Sequence, residues 1–105
     1  MTIGDSVTTI GDCAFYGCSS LTSITIPGGV ITIRSWAFGD CSSLTSVYCK
    51  ATTPPAGGND MFSYDVGGYN KPIGCTIYVP MKSVNKYKSA SGWSEYADDI
   101  VGYNF

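Results

Sequence analysis

Five cysteines give this 105-residue chain its most obvious potential for chemistry: Cys13, Cys18, Cys41, Cys49 and Cys75. No two of them form a C-x-x-C pair, the spacing typical of zinc sites and of thioredoxin-type motifs. A catalytic thiolate also needs a neighbouring base, and the chain contains no histidine. We therefore expect no catalytic residue, and the protein is predicted not to be an enzyme.

Acidic and amide side chains among glycines suggest calcium as a second kind of chemistry. Asn59, Asp60, Asp65 and Asn70 are the candidates. They lack the D-x-D-x-D-G spacing of an EF-hand loop, and Asp and Asn are also ordinary turn residues. The expectation is therefore no metal and no other cofactor.

The overall charge and hydropathy exclude two classes of partner. The net charge is −2 with only 6 Lys and Arg residues, whereas nucleic-acid binding requires clustered basic side chains. No apolar run approaches the roughly 20 residues that cross a bilayer, so no membrane insertion is expected. Met1 is followed by TIGDSVTTIG, which has neither the basic start nor the apolar centre of a signal peptide.

The elements that must position these residues come from an internal repeat. Residues 7–29 align with residues 30–52 at a spacing of 23, and the run SSLTS returns unchanged. A period of roughly 20–29 residues with L-x-x-L-x-L spacing is typical of leucine-rich repeats. The alternation in LTSITI indicates a strand with Ile24 and Ile26 pointing inward. One such coil cannot bury its own apolar face, so the copies are expected to stack.

The full repeat is V-T-x-I-x-x-x-A-F-x-x-C-x-x-L-T-S-I-T-I-P, and over residues 2–52 it resembles the BspA-like leucine-rich repeat family of bacterial surface proteins. The family often ends in a tail similar to ATTPP…CTIYVP…YKSASGWSEY. The resemblance implies an α/β solenoid, a right-handed coil with short parallel strands, a 23-residue period and a C-terminal helical cap. It implies little about the ligand, because the surface of a solenoid decides what binds.

Residues 1–80 are expected to form the solenoid. The repeat register is lost after Cys49, where Pro and Gly become frequent, and CTIYVP then restores the strand pattern. The predicted parts are a partial first repeat, repeats 7–29 and 30–52, an irregular insertion at 53–74 and a last strand at 75–80.

Residues 81–105 change to the three- and four-residue apolar spacing of amphipathic helices and are predicted to form the helical cap. In this interpretation Tyr87 and Trp93 plug the last coil, because a solenoid must cover its open apolar end. The first coil has no matching cap. Unless upstream repeats or another chain cover it, its apolar side chains are expected to be exposed, namely Ile3, Val7 and Ile10.

The candidate binding residues lie at the outward strand position of successive coils. This row comprises Thr2, Thr25, Tyr48 and Tyr78, with Ser23, Ser46 and Thr76 beside it. Tyrosine suits an interface because it buries much area and carries a polar tip. The alternative is that Tyr48 and Tyr78 are strand formers that only stack on each other. The inserted segment is a second candidate recognition element, through Phe62, Tyr64 and Tyr69.

Stacking also gives the cysteines a structural interpretation. Cys18 and Cys41 are equivalent in the two repeats, so a ladder of small buried thiols is preferred. A disulfide between Cys49 and Cys75 is the alternative. The odd number of cysteines leaves at least one thiol free in either case.

The function expected from the resemblance is a non-catalytic protein–protein interaction or adhesion module of a bacterial cell-surface or secreted protein. It would bind a host or microbial protein through the concave strand face, where solenoids usually bind. The alternative is a carbohydrate-binding repeat or a purely structural spacer. Self-association through the uncapped N-terminal coil is a further expectation.

Overall fold

A computed structural model describes residues 3–105, and Thr2, expected to begin the outward row, lies outside them. The three-stranded sheet has the order β1-β3-β5, with strands Thr9–Ile10 (β1), Thr32–Ile33 (β3) and Ala56–Gly57 (β5). The four-stranded sheet has the order β2-β4-β8-β9, with strands Ser23–Ile26 (β2), Ser46–Cys49 (β4), Thr76–Pro80 (β8) and Ile100–Tyr103 (β9). All neighbouring strands in both sheets are parallel, which confirms the prediction of short parallel strands.

The strand register joins equivalent residues of the repeat. Thr9 pairs with Thr32 in one sheet, and Ser23 pairs with Ser46 in the other. Polar contacts between the two copies follow the same spacing, since the Thr45 hydroxyl donates to the Thr22 carbonyl over 23 residues. From β1 to β5, successive strands along the chain belong alternately to the three-stranded and the four-stranded sheet.

Alternation along each strand of the four-stranded sheet separates core from surface. The inward residues of β2, β4 and β8 are buried: Ile24, Ile26, Val47, Cys49, Ile77 and Val79. They belong to one continuous hydrophobic cluster. Their outward neighbours remain at least partly accessible, as expected when successive side chains point to opposite faces of a sheet.

The turns between the sheets stack as regularly as the strands. The rings of Phe15 and Phe38 lie parallel with centroids 5.0 Å apart, and Phe38 stacks on Phe62 at 5.3 Å. The Phe15 N–H donates to the Ala37 carbonyl, and the Phe38 N–H donates to the Met61 carbonyl. The first two turn layers thus each donate hydrogen bonds to the layer that follows.

The segment 53–74 differs from the irregular insertion that the sequence suggested. It contains β5, a third turn layer with Met61 and Phe62, and an antiparallel hairpin of Ser63–Val66 (β6) and Tyr69–Pro72 (β7). The third layer is offset by one residue, since Asn59 contacts Ser35 over 24 residues. A strict 23-residue alignment therefore misses Phe62, which completes the phenylalanine column.

After β8 the chain forms a 3-10 helix at Met81–Ser83, helix α1 at Val84–Ser89 and a second 3-10 helix at Ser94–Asp99. It then ends in β9, which adds a strand to the sheet where the sequence suggested only helix. The predicted plug residues Tyr87 and Trp93 are both fully buried, and the Trp93 indole N–H donates to the Pro55 carbonyl at 2.8 Å.

A close backbone approach holds this C-terminal segment against β5. Gly92 has φ +84°, and a Cβ there would lie 2.6 Å from the backbone of Gly57. Both conditions favour glycine, because positive φ is strained for other residues and no side chain fits the gap.

The expectation that the first coil exposes its aliphatic side chains is wrong for two of the three. Ile3 and Ile10 are buried and Val7 is half-buried. Ile3 and Ile10 belong to the central hydrophobic cluster because their side chains point into the interior. The accessible residues at this end are instead Ala14, exposed, and Phe15 and Cys18, both partly exposed.

Candidate functional site

Tyr48 and Tyr78 form the centre of the candidate site. Tyr48 on β4 and Tyr78 on β8 are paired in the strand register, and their rings stack with centroids 4.8 Å apart and an angle of 9° between planes. Both side chains are half-buried, so each ring is covered by its neighbour while part of it stays accessible. Parallel pairing forces this stacking, because equivalent outward residues lie about 4.8 Å apart in adjacent strands.

Two more aromatic residues extend this pair. Tyr103 on β9 packs edge-on against both rings, with centroids 5.5 Å from Tyr48 and 5.3 Å from Tyr78. Phe105 lies 4.9 Å from Tyr103. We call Tyr48, Tyr78, Tyr103 and Phe105 the aromatic face. Edge-to-face and offset packing are the preferred arrangements of aromatic pairs, so the cluster is a defined surface.

Sequence reasoning missed Tyr103 and Phe105 because it assigned residues 81–105 to helices. A signal was present in IVGYNF, where Ile100 and Gly102 alternate with Val101 and Tyr103 as in a strand. In the structure Ile100 is buried, whereas Val101 and Tyr103 are exposed on the outward side.

The other predicted site residues flank the tyrosines. Thr25 pairs with Tyr48 in the register and is exposed. Ser23, Ser46 and Thr76 form a second row two positions earlier in their strands, paired Ser23 with Ser46 and Ser46 with Thr76. Residues two apart share one face of a strand, so both rows face outward on the four-stranded sheet.

The second candidate element, the inserted segment, is divided by the structure. Phe62 is fully buried in the phenylalanine column, so it is not a recognition residue. Tyr64 and Tyr69 are exposed on the hairpin of β6 and β7. Neither ring packs against a ring of the phenylalanine column or of the aromatic face.

All five cysteines are free thiols, so the alternative of a Cys49–Cys75 disulfide is not present. Cys41, Cys49 and Cys75 are buried. Burial raises the pKa of Cys41 and of Cys49, and burial with nearby Asp99 raises the pKa of Cys75 to about 12. These three thiols therefore stay protonated at neutral pH, which opposes nucleophilic chemistry.

Buried tyrosines in the C-terminal segment have structural hydrogen bonds. The Tyr96 hydroxyl accepts the Phe62 N–H at 2.9 Å and lies 2.8 Å from the Ser63 hydroxyl. The Tyr87 hydroxyl donates to the Ala51 carbonyl and lies 3.3 Å from Cys49 Sγ. Burial raises the pKa of both phenols, so they stay neutral. Both buried hydroxyl groups therefore have hydrogen-bond partners, which is the pattern of structural core residues.

In the candidate calcium segment the Asn70 amide donates to the Asp60 carboxylate at 3.2 Å, and the Asp65 carboxylate accepts the Gly68 N–H at 3.2 Å. Within residues 3–105, no three His, Cys, Asp or Glu side chains come together as a potential metal-ligand set. None of the helices described for these residues is long and apolar enough to cross a membrane.

Comparison with known proteins gives one family. Residues 1–65 match the family described as "BspA type Leucine rich repeat region (6 copies)". No curated protein matches the chain. The matched region includes the third turn layer with Phe62 and ends within the hairpin.

Proposed function

The chain belongs to the BspA-type leucine-rich repeat family, and from this premise we propose that it is a non-catalytic module for protein interaction or adhesion, which binds through the aromatic face. The family has a repeat fold of the solenoid type and is generally a non-enzymatic interaction module. The finer proposal is a 23-residue solenoid at residues 1–80, closed by a cap at residues 81–105. Its parallel strands, stacked turns and buried Trp93 support this organisation.

The observation that carries the binding proposal is the packing of Tyr48, Tyr78 and Tyr103 into one accessible cluster. Three phenol rings held by neighbouring strands give a rigid surface, so little side-chain entropy is lost when a partner covers it. Each ring also offers a hydroxyl at its edge, which suits the mixed polar and apolar character of protein interfaces. Thr25, Ser23 and Ser46 extend the surface with short polar side chains.

The proposed location is the bacterial cell surface or the secreted fraction, since repeats of this family occur in bacterial surface proteins. The proposed partner is a host or microbial protein. A carbohydrate ligand is the second candidate because aromatic rings also stack on sugars. The row beside the tyrosines is Ser23, Ser46 and Thr76 rather than the Asp and Asn residues that sugar binding favours, which supports a protein partner.

The test is binding to arrays of purified matrix proteins and of glycans, using the chain and two matched double variants. Tyr48→Ser with Tyr78→Ser removes the centre of the aromatic face. Tyr64→Ser with Tyr69→Ser removes the same chemistry from the exposed hairpin. We expect a matrix-protein signal that falls at least about tenfold in the first variant and is unchanged in the second, because tyrosine is enriched among the central interface residues whose truncation costs about 2 kcal/mol or more.

The other outcomes decide against parts of the proposal. A signal confined to the glycan array would favour the carbohydrate alternative. Loss in the hairpin variant alone would move the site to the insertion. No signal on either array, with all three proteins folded by circular dichroism, would favour a structural spacer.

A further inference from the structure

We infer that the groove beside the aromatic face, at the carboxyl ends of β4, β8 and β9, binds an acidic peptide segment with an apolar side chain at its centre. This inference rests on the proposed interaction function and names the chemistry of the partner. The groove has a volume of about 420 Å³ and is lined by Lys50, Thr52, Pro80, Met81, Lys82, Tyr103, Asn104 and Phe105.

The apolar part of the groove is continuous with the aromatic face. Tyr103 and Phe105 belong to both, and Met81 and Pro80 complete the apolar wall. Met81 is 67% exposed, and Tyr103 and Phe105 are each exposed by more than 40%. Adjacent exposed apolar side chains of this size mark interaction sites, because covering them removes apolar surface from water. A volume of about 420 Å³ is sufficient for an aromatic or large aliphatic side chain.

The charged part of the groove is entirely basic. Lys50 directly follows β4, and Lys82 lies in the 3-10 helix that directly follows β8, so the two lysines come after the carboxyl ends of adjacent strands. Arg34 with Asp12 is the one ion pair found among residues 3–105, and it lies elsewhere. No acidic side chain lines the groove, although the chain as a whole has a net charge of −2. The local charge is therefore opposite in sign to that of the whole protein.

These two properties together select the ligand. Carboxylates satisfy Lys50 and Lys82, and an apolar side chain fills the space beside Met81 and Phe105. A small inorganic anion would use only the lysines, and an anionic polysaccharide has no side chain for the apolar wall. An acidic peptide with a central aromatic residue uses both, and opposite charge raises its rate of association.

The test measures fluorescence anisotropy with a short fluorescein-labelled peptide in which Phe is flanked on each side by Glu-Asp. Control peptides replace Phe with Ser, or the acidic residues with Lys-Arg. We expect saturable binding of the acidic peptide that contains Phe. The peptide with Ser in place of Phe should bind at least about fivefold more weakly, and the basic peptide should not bind. Raising the salt concentration should weaken binding, since the lysines are exposed and screened by ions.

A matched pair of double variants assigns the site. Lys50→Gln with Lys82→Gln removes both groove charges, and Lys86→Gln with Lys88→Gln removes the same charge from α1, outside the groove. We expect the first to weaken the peptide about tenfold and the second to change it less than about twofold. All four positions are exposed, so folding is preserved.

Three results would overturn the inference: equal losses in the two lysine variants, no saturable binding of the Phe peptide, or a hyaluronan oligosaccharide that binds as tightly with the same dependence on Lys50 and Lys82. None of them refutes the proposed function, which depends on the tyrosine variants and the protein array. Conversely, the array could give no matrix-protein signal while the acidic peptide binds in a way that depends on Lys50 and Lys82. That result would support the groove as a peptide site and contradict the proposal of a matrix-protein partner.

Discussion

The turn layers at the two ends of the molecule have the same shape but differ in how far neighbouring residues cover them. At the C-terminal end Phe62 is fully buried, with Trp93 at 6.0 Å and Tyr96 at 5.6 Å between ring centroids. At the N-terminal end its counterpart Phe15 is covered by Phe38 on one side and remains partly exposed on the other. The first layer is also less covered than the second, since Ala14 is exposed whereas its equivalent Ala37 is fully buried.

The backbone shows the contrast as clearly as the side chains. The carbonyls of Ser35, Ala37 and Gly39 each accept an N–H from the layer before. The equivalent carbonyls of the first layer, on Asp12, Ala14 and Tyr16, accept no such bond from any residue between 3 and 105. A repeat sequence therefore specifies the shape of a layer, whereas burial of that layer depends on what lies beside it.

The largest expected effect is at the closed end. Trp93→Ala removes a buried indole that contacts Phe62 and Tyr87, and it leaves the Pro55 carbonyl without its donor. We expect a loss of about 3–5 kcal/mol in the free energy of unfolding, measured by urea denaturation. Phe15→Ala at the open end is the matched comparison and should cost about 1–2 kcal/mol, because the ring is only partly buried. Equal losses would contradict the difference between the ends.

Two glycines with positive φ separate backbone strain from close packing. Gly17, in the first layer, has φ +74°, and a Cβ added there would meet nothing within 4 Å, whereas Gly92 has φ +84° and lies against the backbone of Gly57. Gly17→Ala should cost about 1 kcal/mol from strain alone. Gly92→Ala should cost about 3 kcal/mol, since the C-terminal segment must also move away from β5. A thermal melt of both variants measures the difference, and similar values would mean that the approach to Gly57 is easily relaxed.

Alkaline pH should act on the closed end because Cys75 is buried beside it. Its pKa is raised to about 12 from 9.0, mainly by burial and then by Asp99. A folded-state pKa above the unfolded value gives stability that is complete below pH 9 and is lost as the pH rises toward 12. The slope is up to about 1.4 kcal/mol per pH unit for one such thiol. Urea denaturation between pH 8 and about pH 10.5 should show a shallower slope in Cys75→Ala, and an unchanged slope would contradict it.

The smallest expected effect concerns association through the open end. We propose that two copies of the chain contact each other through the accessible side chains of Val7, Ala14 and Phe15, which line a groove with a volume of about 310 Å³. Sedimentation velocity should then show concentration-dependent dimers. Ala14→Glu should weaken them about tenfold by placing like charges in the contact, whereas Thr25→Glu on the outward face of the four-stranded sheet should not. A strict monomer at high concentration would disprove the contact.

The strands and turns were predictable from the sequence where the repeat is exact. LTSITI and LTSVYC share the same alternation, with Ile24 and Ile26 matched by Val47 and Cys49 at the buried positions and Thr25 matched by Tyr48 at the outward one. The place of Phe62 in the phenylalanine column was not predicted, because one extra residue shifts the third layer. An alignment at a fixed period does not find such a shift. The strand at residues 100–103 was not predicted, because it forms by pairing with β8 and strand formation depends on such neighbours.

The candidate site was predictable in part for the same reason. Equivalent positions of a stacked repeat must become neighbours, which brought Thr25, Tyr48 and Tyr78 into one row. Tyr103 and the groove lysines come from segments outside the repeat, and no periodicity relates Lys82 to Lys50. The burial of Ile3 and Ile10 agrees with the repeat, since they are equivalent to the buried Ile26 and Ile33, and the expectation of exposure failed because the lack of a cap does not uncover side chains that point inward.

The Tyr96 hydroxyl in the C-terminal segment completes the hydrogen bonding of the last turn layer. The Phe15 and Phe38 N–H groups each donate to a carbonyl of the following layer, and the Phe62 N–H donates instead to Tyr96 Oη. The phenol thus occupies the place of one more peptide group. The last backbone donor of the phenylalanine column is therefore satisfied by a side chain, so the stack ends without a further layer and without an unpaired buried N–H at this position.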